Sequence, residues 1–80
     1  MALYYFHLCG EGDVLLDPEG QEVGVEASVS GLALKEARAI IRADALCGRI
    51  NLMMSIEVRA ESGQLVHELP FREAVTISGG

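Results

Sequence analysis

Two histidines and two cysteines, His7, Cys9, Cys47 and His67, are all the imidazole and thiol ligands the sequence offers a metal. Structural zinc sites draw on close Cys or His pairs that make a knuckle. His7 and Cys9 lie one residue apart on a strand-like segment, and Cys47 and His67 are remote from both. That pattern suits a strand histidine and two packing thiols better than a ligand set. A nucleophilic cysteine needs a lowered thiol pKa beside a base. Cys47 falls at the C-terminal end of the expected helix, where the dipole disfavours a thiolate. Asp13, Asp17 and Glu19 could supply paired carboxylates, but they stand in turn sequences, where acids hydrogen-bond local backbone. Asp13-Val-Leu-Leu-Asp17 lacks the alternating oxygens of a calcium loop. Gly10-Glu11-Gly12 lacks the third glycine, the following helix and the lysine of a phosphate loop. No catalytic constellation, metal or cofactor is therefore expected.

The elements that would position these residues can be read in order. Leu3–Cys9 is aromatic-rich and short, as a strand is. Gly10–Asp13 is a turn and Val14–Leu16 a second strand. Asp17-Pro18-Glu19-Gly20 matches a type I turn, with Asp first, Pro second and Gly last. Gln21–Val25 extends the hairpin. Residues 26–47 form a helix, with Ser28 or Ser30 as N-cap and Gly48 as the closing left-handed residue. Leu52–Ala60 alternates, Met54, Ile56, Val58 and Ala60 against Met53, Ser55, Glu57 and Arg59. Glu61-Ser62-Gly63 is a hairpin loop and Gln64–Leu69 the return strand, broken by Pro70. Residues 71–77 fit a short strand or an irregular tail. The result is one α+β domain over residues 1–80, with an antiparallel sheet of about four strands and one long helix on one face (ββαββ).

A chain of 80 residues buries a thin core. Its net charge is −6, and the acids lie unevenly: residues 1–34 hold Glu11, Asp13, Asp17, Glu19, Glu22 and Glu26 with no Lys or Arg. Such a half repels phosphate, which argues against nucleic acid as a partner. The apolar stretch at the start is short, has no basic residues ahead of it and runs into Glu11, so no signal peptide or membrane span is expected. Free thiols and a cytoplasmic setting follow.

At 100° per residue, Ala33, Ala37, Ile40, Ile41 and Cys47 share the helix's sheet-facing sector, and Leu32, Ala39, Ala43 and Leu46 make a second apolar sector. A helix on one sheet needs one such face, so the second predicts an interface with a partner helix or a symmetric copy. Tyr5 and Met53 extend the surplus onto the open face of the sheet. A self-associating, dimeric protein-binding module is the leading expectation. An acidic partner that sequesters a basic protein, as an antitoxin does, is the alternative.

Tyr4-Tyr5-Phe6-His7-Leu8, Asp17-Pro18-Glu19-Gly20, the alanine-rich helix, Ile56-Glu57-Val58, Gly63 and Pro70-Phe71-Arg72 carry, in that order and spacing, a resemblance to a family. It comprises short, mostly alphaproteobacterial proteins classed as a domain of unknown function. The start of the helix departs from it: Val25-Glu26-Ala27 stands where members have a Pro or Asp cap, and Gly31 is unusual. The resemblance implies a stand-alone intracellular domain and supplies no activity, cofactor or catalytic residue. The opening hairpin and alanine-rich helix are also similar, at the level of fold, to HicB-type antitoxins.

Overall fold

Alternating apolar side chains on extended segments dictate a sheet with one greasy side, and one helix covers it. The structure, a computed structural model, describes residues 2–76. β1 (Ala2–Cys9) buries Tyr4 and Phe6 toward the helix and turns Tyr5, His7 and Cys9 to the other side. It pairs antiparallel with β4 (Ser55–Ala60), with Phe6 opposite Val58 and Leu8 opposite Ile56. β4 pairs antiparallel with β5 (Leu65–Pro70), with a bulge after Val58. Ile56 and Val58 stand on the central strand and are fully buried, each stabilising the fold by about 1.5–3 kcal/mol.

The other edge of β1 carries two strands instead of the single one expected. β2 (Val14–Leu15) pairs with Leu8 and Cys9, and β3 (Gln21–Val23) pairs with Ala2 to Tyr4. The sheet thus has five strands rather than about four, in the order β2/β3–β1–β4–β5. The Asp17–Gly20 turn interrupts that edge. Gly20 has φ +74°, and a Cβ there would lie 3.1 Å from the Tyr4 carbonyl oxygen and 3.0 Å from Leu3, so the turn requires glycine.

A 3₁₀ turn at Glu26–Ser28 leads into α1 (Val29–Leu46). Ser28 occupies the N-cap position, and its side chain makes no capping bond. Val29, Ala33, Ala37 and Ile41 are buried against the sheet; the two alanines let the backbones approach closely. Gly48, at φ +86°, closes the helix: Gly48 N–H donates to Ala45 O and Arg49 N–H to Asp44 O. Residues 45–51 are all exposed. The last turn therefore overhangs the core, and Cys47, expected on the sheet-facing side, is exposed.

After β5, Phe71–Glu73 forms a 3₁₀ turn rather than a strand. Phe71 is fully buried, and Arg38 Nε on α1 donates to the Ala74 carbonyl at 2.8 Å. Ile77, the last residue of the tail whose form was open, lies outside the described residues.

Candidate functional site

Three consecutive apolar residues, Val14, Leu15 and Leu16, lead into the Asp17 turn, whereas a half-buried strand should alternate. All three are exposed, Leu15 at 69% and Leu16 at 65%. Leu15 and Leu16 form part of one wall of an open trough whose other wall is α1. A depression of about 460 Å³ has Phe6, Leu8, Leu15 and Leu16 on the sheet side and Glu36 and Ile40 on the helix. A second, of about 280 Å³, runs on between Gln21, Leu32, Lys35, Glu36 and Ala39. The two share Gln21 and Glu36, so they make one surface.

Asp17 builds the near wall. Its Oδ2 accepts the Phe6 N–H at 3.2 Å, replacing the ladder bond that the interrupted edge leaves out. Oδ1 accepts the Glu19 and Gly20 N–H groups at 3.3 and 3.1 Å. The Asp17 N–H donates to His7 Nδ1 at 3.0 Å, which fixes that imidazole nitrogen as an acceptor. Partial burial pushes the Asp17 carboxyl up. The three backbone N–H groups and nearby His7 outweigh it and hold the group below its ordinary value.

Glu36, across the trough, shifts the other way. Burial first, and then the Asp17 charge, raise its carboxyl. Among the described residues the one ion pair is Arg59–Glu57, on the far face of the sheet, so both trough carboxylates lack a cation. The sign of the linkage follows: a carboxyl whose native pKa is raised opposes folding in full above that native value, less as pH falls through it, and not at all below its unfolded value. Glu36→Gln is expected to raise the unfolding free energy slightly at pH 7, by less than about 1 kcal/mol for so exposed a group, and not at all well below pH 4. Paired urea titrations at both pH values measure this.

The residues expected to form an interface do not share one surface. Leu32 and Ala39 line the trough; Ala43 and Leu46 are exposed farther along α1, Leu46 at 84%. Tyr5 lies on the opposite side of the sheet, stacked on His7 with ring centroids 6.2 Å apart. Met53 is exposed in the turn before β4, since the strand starts at Ser55 and not at Leu52. Sequence reasoning missed Leu15, Leu16, Glu36 and Ile40 as site residues, although the unbroken Val14–Leu16 run was a visible signal.

The soft ligands do not converge: among the described residues no three His, Cys, Asp or Glu side chains gather as a metal site would need. Burial, then the Glu57 charge, pushes the Cys9 thiol up, away from nucleophilic character. His67 faces the start of α1 beside Glu26 and Ser30, and its Nε2 is buried without a hydrogen-bond partner. No helix among the described residues is long and apolar enough to cross a membrane.

A family model matches residues 3–72, from β1 through Phe71, and so takes in both walls of the trough. The chain belongs to the DUF6894 family, a domain of unknown function. No curated protein and no solved structure matches it. For this DUF6894 chain, the Asp17-Pro18-Glu19-Gly20 stretch acquires a structural meaning: its first residue bonds back to Phe6 and His7 of the opening strand.

Proposed function

We propose that this chain is a non-enzymatic, cytoplasmic protein-binding module that pairs with a second copy of itself through the exposed flank of α1. One observation carries the reading. Ala43 and Leu46 on the overhanging end of the helix, and Leu15 and Leu16 on the neighbouring edge, leave apolar area in water that a thin core can ill spare. A symmetric pair would cover the Ala43–Leu46 stretch with its own image. Both cysteines are free thiols, as a reducing compartment would keep them.

Size-exclusion chromatography with light scattering tests this. The expected result is a dimer mass at high micromolar concentration that reverts to the monomer in Leu46→Glu. A clean monomer in the unaltered chain removes the dimer.

A second reading has an observation of its own. The β2–β3 edge is bordered only by acids, Glu11, Asp13, Asp17, Glu19 and Glu22, which favours an unlike, basic protein as partner there, as in the antitoxin-like alternative.

A further inference from the structure

We propose that the trough between α1 and the β2–β3 edge receives a segment of another protein in which apolar side chains flank a lysine or arginine, the cation seated between Asp17 and Glu36. This rests on the reading of the chain as a protein-binding module and assigns the trough its occupant. The walls are apolar where a peptide's hydrophobic side chains would rest: Leu15 and Leu16 on one side, Ile40 on the other. Asp17 and Glu36 both line the main depression, where the Asp17 charge helps burial to raise the Glu36 carboxyl, and neither is paired with a cation among the described residues. A cation placed between them would relieve that repulsion and donate hydrogen bonds to both carboxylates, the geometry a guanidinium suits best.

A second copy fits this place poorly. The edge it would bring carries the same acids, and like charges set against one another oppose association. Of the cations on α1, Arg38 is already bonded to the Ala74 carbonyl, and Lys35 stands on the lining of the second depression beside Glu36, on the same surface as the acids. Self-association through Ala43 and Leu46 would leave the main depression open.

The trial uses the full chain, methyl-labelled, titrated with a short synthetic peptide alternating leucine and arginine. The leucine–glutamate peptide and a pure oligo-arginine are the comparisons. The expected result is movement of the Leu15, Leu16 and Ile40 methyl signals with the leucine–arginine peptide alone. Its Kd should rise about tenfold in Glu36→Lys, the loss of one charge-assisted contact, and by less in Glu36→Gln. The Glu36 side chain accepts no hydrogen bond among the described residues, so both variants keep the walls intact. Binding unchanged in Glu36→Lys overturns the proposal, as does oligo-arginine binding equally well. Concentration-dependent shifts of the same methyls without peptide would make a second copy the occupant and overturn it too. Methyl shifts confined to Leu46 would overturn the trough and leave the module standing, whereas no binding by any peptide together with a monomeric mass would remove both.

Discussion

Replacing Phe71 with alanine is expected to cost about 3–5 kcal/mol and to lower the melting temperature by on the order of 20 °C. The reason begins with Pro70, which ends β5 on the sheet's outer lane and sets the chain at φ −66°, ψ 139°. The next residue turns inward: the Phe71 N–H donates to the Met54 carbonyl at 2.8 Å, and the ring is fully buried in the same cluster as Ile56, Val58 and Val29. Those neighbours cannot collapse into the space left, since two of them are held on the central strand by pairing on both sides. The lost transfer energy and the cavity therefore add. A domain of 80 residues has a total stability of about 4–12 kcal/mol, so the loss is a large share of it. Urea denaturation followed by circular dichroism measures the effect, with Leu46→Ala as the comparison. Leu46 is 84% exposed in the single chain, and at concentrations too low for self-association its truncation should stay within about 0.5 kcal/mol. A Phe71→Ala midpoint close to that of the unaltered chain would mean that the 3₁₀ turn does not close the core.

That prediction also marks where sequence reasoning stopped. Periodic signals were legible: the alternation around Ile56 and Val58 gave both a strand and its buried face, and the Tyr4–Phe6 face followed from the same rule. Local chemistry was legible too, since Gly48 and Gly63 take the positive φ that closing a helix and a hairpin require. Phe71 follows a proline with no pattern around it, and only a tertiary gap gives it a place. Asp17-Pro18-Glu19-Gly20 announces its turn in residue types alone, but the bonds from Asp17 to Phe6 and His7 cross ten or more residues and leave no mark in spacing. As a result, one expected strand became β2 and β3, and the trough beside the break went unseen. The second apolar sector of α1 was assigned to one interface, although Leu32 and Ala39 line the trough while Leu46 overhangs the core. A helical wheel gives angles and cannot say where the sheet beneath it ends.

Asp17→Ala should destabilise the chain by about 2–3 kcal/mol at neutral pH, because it strips a charged acceptor from three backbone N–H groups. The Glu19 and Gly20 groups are near the surface and can turn to water. The Phe6 N–H faces the interrupted edge, where no strand stands ready to take it, and it accounts for most of the loss. The pH dependence separates this from a packing effect. The folded-state pKa of Asp17 lies below its unfolded value of about 3.9. Its contribution is therefore fully present above that value and fades as pH falls through the lower native one. The gap between the unaltered chain and Asp17→Ala should close on acidification, through the range below pH 4, when unfolding free energies are compared at matched pH. Glu36 cannot mimic this, because its raised carboxyl favours the folded state on acidification. Removing Asp17 also removes the charge that helps to raise Glu36, so the Glu36→Gln gain at neutral pH should shrink in the double variant. A gap that stays constant from neutral to strongly acidic pH would show that the carboxylate's charge contributes nothing to holding the turn, and would take with it the electrostatic account of the trough.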